Sequence, residues 1–415
     1  MRKMKDSEIE WVGEIPAHWE VMSNKHLMQK QKIICPIYKG QAILSLTMKG
    51  VIERDLDAGG KMPSSFDGYQ YVKRGNLLLC LFDIDVTPRC AGLILKDGVT
   101  SPAYSQYIMR QKAYAPFYSY YYVMVDNTKE LLHMAKNLRH SLNEEQFGAI
   151  KAPVPPISEQ KAIAEFLDKK CGEVDALIAD IQQEIEMLEQ YKRSVITESV
   201  TKGLDPSVPM KDSGIQWIGN MPANWKCIRG KYILKYLQKP VKKDDGVITC
   251  FRDGEVTLRS NRREDGFTMA DKEIGYQGVD IGDLVVHGMD GFAGAIGISD
   301  SRGKASPVLN VLGTKQNKRY IMYYLRSMAY SDVFMALSTG IRVRSCDLRW
   351  NKLAELWYPI PPLKEQEKIV MYIDETIQKA NEIIADKQSQ IETLELYKKS
   401  LIYEYVTGKK ENIAQ

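Results

Sequence analysis

The 415-residue sequence predicts an α+β protein, with two mixed α/β domains related by an internal repeat and joined by two long antiparallel coiled-coil helices. Three observations predict it. Short blocks recur at a constant offset of 206 residues, each half carries a long stretch with apolar residues at steps of three and four, and charge separates between those stretches and the remainder. The length also exceeds what one hydrophobic core usually supports, so more than one domain is expected.

The repeat is read directly. Ile9-Glu10-Trp11-Val12-Gly13-Glu14-Ile15-Pro16-Ala17-His18-Trp19 returns as Ile215-Gln216-Trp217-Ile218-Gly219-Asn220-Met221-Pro222-Ala223-Asn224-Trp225. Pro155-Pro156-Ile157-Ser158-Glu159-Gln160 returns as Pro361-Pro362-Leu363-Lys364-Glu365-Gln366, and Tyr191-Lys192-Arg193-Ser194 as Tyr397-Lys398-Lys399-Ser400. Between these blocks the halves share few landmarks, such as Arg74-Gly75-Asn76-Leu77 against Ile281-Gly282-Asp283-Leu284. A duplicated frame with divergent filling is expected of two domains doing one job on different targets.

The helices come next. From Ser158 to Val200 the stripe runs Ile163, Leu167, Cys171, Val174, Leu177, Ile181, Ile185, Leu188, Tyr191 and Val195, without proline. Its copy runs Ile369, Ile373, Ile377, Ala380, Ile383, Ile391, Leu394, Tyr397 and Leu401, with Lys387 interrupting. Each begins after a Pro-Pro pair; Ser158 is expected to cap the first, Lys364 cannot cap the second, and Gly203 and Gly408 mark the ends. About 43 residues at ~1.5 Å each make a rod of roughly 65 Å, too long for one small domain to cover. Antiparallel pairing of the two is expected, with a seam of Ile163, Leu167, Val174, Leu177, Ile181 and Leu188 against Ile369, Ile373, Ile377, Ile383, Ile391 and Leu394. It would put the domains at opposite ends. The expected boundaries are 1–154 and 204–360 for the domains, 155–203 and 361–407 for the helices, and 408–415 for a disordered tail.

Charge points to the partner. Residues 158–200 carry net −5 and 364–406 net −3, whereas 1–157 carry +4 and 201–363 carry +7. Basic domains on acidic struts suit phosphate backbones at the domains and protein partners at the struts. In the second domain the candidates are Arg252, Arg259, Arg262 and Arg263, read as short strands with turns, and Arg342 and Arg344. Arginine matters because its planar fork takes both acceptors of a guanine edge as well as phosphate. The first domain offers Lys49, Arg54, Lys61, Arg89, Arg110, Lys112 and Arg139. Tyr118, Tyr120, Tyr121, Tyr122, Tyr320, Tyr323 and Tyr324 are read as mostly the core of short helices rather than as stacking platforms.

Other classes lose ground. Seven scattered cysteines without a C-x-x-C pair fit neither a disulfide framework nor a zinc ribbon. The longest apolar run, Leu77 to Phe82, is too short to span a bilayer, so a cytoplasmic protein with no membrane contact is expected. H-E-x-x-H and G-x-S-x-G are absent, Gly297 to Ala305 misses the phosphate-loop pattern, and Gly291 to Gly297 is read as a tight bend where backbone meets backbone. No catalytic residue and no metal site is predicted.

With these residues in view, the chain resembles the specificity subunits of type I restriction-modification systems. The resemblance rests on the Trp11–Trp19 and Trp217–Trp225 openings, the Pro155–Gln160 and Pro361–Gln366 helix starts, and the Tyr191–Ser194 and Tyr397–Ser400 helix ends. Cys250–Val256 and His287–Gly294 also look like a recurrent form of the second domain. It implies two target recognition domains, each reading half of a split double-stranded DNA sequence, with a gap set by the helices. It implies two methyltransferase (modification) subunits as partners, joined by motor (restriction) subunits for cleavage. It further implies no cofactor in this chain, S-adenosylmethionine in the methyltransferase subunits, and ATP with Mg in the motor subunits. A coiled-coil scaffold joining two domains for ligands other than DNA is the competing reading.

Overall fold

The computed structural model of the chain describes residues 2–56, 63–87, 89–135, 140–262, 274–337 and 348–411. Two compact units emerge, one of Met1–Ile181 with Gln388–Gln415, the other of Gln182–Lys387. The long helices are Ile157–Lys202 and Leu363–Val406. Both cross the unit boundary, so each unit holds one α/β head with part of each helix.

The two heads repeat one topology although their sequences diverge. In the first, an antiparallel sheet runs in the order Ala91–Leu93, Leu77–Leu79, Ser105–Met109, Met28–Gln31. The second has Ile296–Ile298, Leu284–His287, Leu309–Thr314, Leu234–Tyr236 in the same order. A tyrosine-rich helix accompanies each sheet, Ala115–Asn127 in one and Lys318–Tyr330 in the other. As expected, Tyr118, Tyr121, Tyr122, Tyr320, Tyr323 and Tyr324 are buried there, whereas Tyr120 is only half-buried, with its hydroxyl on Asp168. Each head closes where the strand leading into a long helix pairs with an early strand: Lys151–Val154 with Glu20–Ser23, and Trp357–Ile360 with Lys226–Arg229.

Two of the three repeated blocks form locks between head and helix. Trp19 and Trp225 are fully buried, and their indole N–H groups donate to Glu159 and Glu365, at 2.9 Å in each case. Gln160 accepts from Tyr114 N and donates to the Lys112 and Pro155 carbonyls; Gln366 accepts from Asn317 N and donates to the Pro361 carbonyl. Both side chains are inaccessible to water, so these bonds satisfy groups that would be costly to bury alone. Tyr120 and Tyr323 reach Asp168 and Asp374, which are 206 positions apart, from the two tyrosine-rich helices.

Within each unit the helix segments run antiparallel. In the first, Phe166 stacks near Tyr405, with ring centroids 4.4 Å apart, and Asp175 accepts from Lys398 at 2.6 Å. In the second, Glu184 pairs with Lys387 and the Gly203 end approaches Glu365. Ile163, Leu167, Val174, Ile369 and Ile373 are buried, and Ile181, Leu188, Ile377, Ile391 and Leu394 are half-buried.

Two seam assignments need correction. Leu177 and Ile383 are 51% and 46% exposed, and the neighbouring Ile178 and Ile384 turn inward instead. Adjacent apolar pairs satisfy steps of three-then-four and of four-then-three equally well, so periodicity alone cannot choose between them. The same ambiguity recurs because the pairs are repeat equivalents. Tyr191 and Tyr397 are half-exposed as well, and Lys192 and Lys398 take the inner positions.

The helix ends also refine the reading. The first helix starts at Ile157, so Ser158 is already inside it and does not occupy the cap position. Gly203 and Gly408 do terminate the helices, at φ +76° and +70°, a left-handed conformation that favours glycine. Gly408 is not the start of a free tail: a Cβ there would lie closer than 3 Å to Pro16 and Trp19, and Thr407 is fully buried. Among the described residues no helix is long and apolar enough to cross a membrane.

Candidate nucleic-acid interface

Each head carries a separate two-stranded hairpin at a corresponding place in its chain order, Leu44–Thr47 with Gly50–Glu53 and Ile248–Cys250 with Val256–Leu258. Thr47 pairs directly with Gly50, so the first hairpin ends in a two-residue tip, Met48-Lys49, and both are exposed. The second tip is longer. Phe251 N donates to the Glu255 carbonyl at 2.8 Å and Gly254 N to the Phe251 carbonyl at 2.9 Å, which leaves Arg252 and Asp253 outermost.

The basic candidates sort into exposed and engaged groups. Lys49 and Arg110 are exposed, Lys112 is exposed and pairs with Glu20 at 2.7 Å, and Arg54 is half-buried beside the first hairpin. Arg89 is built into the packing: its side chain is 12% exposed, 3.3 Å from Asp126 and 2.9 Å from Asn127. In the second head, Arg252, Arg259 and Arg262 are gathered around one hairpin. Arg259 is half-buried with Nε 3.5 Å from the Thr249 hydroxyl. Arg262 is clamped by Asp253 at 2.6 Å and Glu255 at 3.2 Å, over the Phe251 ring at 4.2 Å. Arg252 is the most open of the three, its side chain 64% exposed, with one Nη2–Asp290 contact at 2.9 Å. Lys61, Arg139, Arg263, Arg342 and Arg344 lie outside the described residues.

The carboxylates that sort these cations escaped sequence reasoning. Asp126 is 3% exposed and also takes Lys129 at 2.9 Å and the Cys90 backbone N–H at 3.1 Å. Asp290 is positioned by His287, whose Nδ1 accepts from the backbone N–H groups of Met289 and Asp290 at 3.2 and 2.9 Å. Burial lowers the His287 pKa, with Asp290 opposing the shift, and an accepting Nδ1 requires the neutral ring. A second network joins Arg302 to Asp245 and Asp280, and Lys239 to Asp280 and Asp283. Lys239 and Arg302 hold the Asp280 carboxyl down to about 2. The sequence signal nearest to them is the glycine-rich run from Gly291 to Gly297. Its reading as a bend of close backbone approach holds, since a Cβ on Gly294 or Gly297 would collide with the Arg252 or Gly254 carbonyl. The first head adds an open groove of about 610 Å³ lined by Gln41, Glu53, Tyr71, Lys73 and Lys96, among others.

Residues 100–187, from the end of the strand Gly98–Thr100 into the first long helix, match the family model described as the type I restriction modification DNA specificity domain. The whole chain is 22% identical, over 440 residues, to the putative type I restriction enzyme MjaX specificity subunit of Methanocaldococcus jannaschii, covering 96% of this chain and 95% of that one. These likenesses support reading the chain as a specificity subunit of a type I restriction-modification system. The chain is also 26% identical over 280 residues to the type I restriction enzyme MjaVIII specificity subunit of the same organism, covering 63% of each chain. Its fold matches, with a TM-score of 0.68 and 12% identity, a chain solved in work on assembly and conformational transition of the type I R-M system, covering 95% of this chain and 99% of that one. It matches the HsdS subunit of Thermoanaerobacter tengcongensis with a TM-score of 0.50 and 13% identity, covering 95% and 98%. At these identities the structural likeness concerns the fold, which is the two-headed, helix-paired one expected.

Proposed function

We propose that each head of the subunit reads one half of a bipartite, asymmetric target in double-stranded DNA, while the helical pair fixes the unread gap and docks two methyltransferase subunits. The observation that carries this reading is one topology built twice, with different side chains on equivalent exposed hairpins. A shared frame serves one type of partner, and divergent tips serve different sequences. The comparisons do not favour a scaffold for ligands other than DNA.

The helices support the docking role. Leu177 and Tyr397 in the first unit each precede an inward-facing residue by one position, and so do Tyr191 and Ile383 in the second. In an antiparallel pair such positions share one side of the seam, so each unit offers a half-exposed aliphatic–aromatic pair on an otherwise acidic surface. Leu177 and Ile383 are repeat equivalents, as are Tyr191 and Tyr397, which suits two copies of one partner. In this reading the chain is not itself a catalyst and works in the cytoplasm. S-adenosylmethionine belongs to the methyltransferase subunits, and ATP with Mg to the motor subunits that join them.

The test is a paired deletion of Gln182–Leu188 and Gln388–Leu394, one heptad from each helix, which preserves the seam. Genomic modification mapping is expected to show the same two half-sites with a gap shorter by about three base pairs, since seven residues span ~10.5 Å and one base pair ~3.4 Å. Altered half-site sequences with an unchanged gap would overturn the assignment.

A further inference from the structure

We propose that Arg252 is a base-reading side chain of the second head, set by Asp290 and His287 to present its guanidinium fork to a guanine edge in the major groove. This rests on the reading of the heads as DNA readers. Three independent features of the hairpin lead to it.

Position comes first. Arg252 stands at the tip of a two-stranded ribbon, a shape the major groove of B-DNA admits, and there a guanine offers O6 and N7 as paired acceptors. Its guanidinium has five N–H donors, and among the described residues its one recorded side-chain hydrogen bond is to Asp290. The opposite edge of the fork therefore faces solvent, consistent with 64% side-chain exposure. Arg262, by contrast, has its charge matched by two carboxylates and its face covered by Phe251, so it serves the hairpin itself.

Preorganisation comes second. A long arginine reads a base selectively only when its rotamers are held before contact. Asp290 holds the side chain, and the neutral imidazole of His287 holds the backbone N–H of Asp290. The tip backbone is fastened separately: Arg326 donates to the Asp253 carbonyl at 2.7 Å, and Gly294 lies against the Arg252 carbonyl with no room for a Cβ. Gly288 and Gly291 are equally confined, by the Val308 carbonyl and by Leu348. A solvent-exposed charge with no role would not need a rigid platform of this kind.

The third feature is the difference between heads. The equivalent tip of the first head is Met48-Lys49, which presents a single ammonium and no fork. If hairpin tips read sequence, tips that differ in length and donor geometry belong with half-sites that differ.

The experiment maps modified motifs genome-wide in cells making the full chain with its methyltransferase subunits, for wild type, Arg252→Ala, Arg252→Lys and Asp290→Asn. Arg252→Ala is expected to relax one guanine position of one half-site, with discrimination there falling roughly 5- to 140-fold, and to leave the other half-site and the gap intact. Arg252→Lys keeps the charge and loses the fork, so relaxation at that position is expected with overall modification retained. Asp290→Asn is expected to relax the same position by a smaller factor, because it acts through Arg252. An unaltered motif in Arg252→Lys, or an even loss of modification at every site with no position relaxed, marks a phosphate contact and overturns the proposal. A wild-type chain that yields no split motif would instead sink the reading of the heads, which keeps the two failures distinct.

Discussion

The first and second heads of the protein have the same sheet order and the same tryptophan–glutamate lock, yet they handle their cations differently. In the first, the buried Asp126 draws in Arg89 and Lys129, and the hairpin ends in a bare Met48-Lys49 turn. In the second, Asp253, Glu255 and Asp290 dress a longer tip, and a separate ion network knits Lys239, Asp245, Asp280, Asp283 and Arg302. Parts that must dock on a helix are repeated nearly residue for residue, while parts that face outward are free to diverge. The constraint is packing in one case and the identity of the partner in the other.

That contrast is open to direct attack, most severely at the locks. Trp19→Ala and Trp225→Ala each remove a fully buried indole and leave a glutamate without its donor. Each is expected to cost about 3–5 kcal/mol in denaturant unfolding. If one costs under about 1 kcal/mol, the locks are not equivalent and the shared frame is only a likeness of outline.

The helix ends sharpen the comparison. Gly203→Ala meets the Trp225 ring at 3.3 Å, a neighbour able to give slightly, whereas Gly408→Ala would drive a Cβ into Pro16 and Trp19. Both also suffer the left-handed penalty of about 1–2 kcal/mol. Thermal melting is expected to rank Gly408→Ala as the more damaging; the reverse order would mean that the Gly408 seat is loose.

Docking supplies an intermediate effect. Leu177→Ala with Tyr397→Ala is expected to lower the number of bound methyltransferase subunits from two toward one, read by mass measurement of the assembled complex. Ile383→Ala with Tyr191→Ala should do the same, and all four together should abolish binding. Unchanged stoichiometry in the fourfold variant would remove these residues from the docking surface.

The smallest effect is electrostatic. Lys239 and Arg302 depress the Asp280 carboxyl to about 2 from an ordinary value of 3.8. A lowered folded-state value means that stability is present above 3.8 and is lost as the pH falls toward about 2. Asp280→Asn is therefore expected to make unfolding of the second unit less steep across that acid range. The change should stay below about 1 kcal/mol, because the pair is partly solvated and screened. An identical acid limb in variant and wild type would show that the network contributes no pH dependence.

Much of this architecture was legible in the chain itself. The 206-residue offset, the Pro-Pro helix starts, the glycine stops and the three-four apolar spacing are local patterns, and local patterns survive translation into helices and caps. The tyrosine clusters were legible as core for the same reason. The single topology of the divergent fillings was not, because short strands paired across tens of residues leave little periodic trace.

Residue order alone thus sets the duplication, the two long helices and where each one stops. Only the tertiary structure decided that Ile178 and Ile384 turn inward while Leu177 and Ile383 stay outside, since an apolar doublet is symmetric until a partner helix selects one member. Tertiary structure alone also separated the open Arg252 from the sequestered Arg89. A cation's availability depends on carboxylates that folding brings to it, 37 residues away for Arg89 and 38 for Arg252, and no local pattern records that distance.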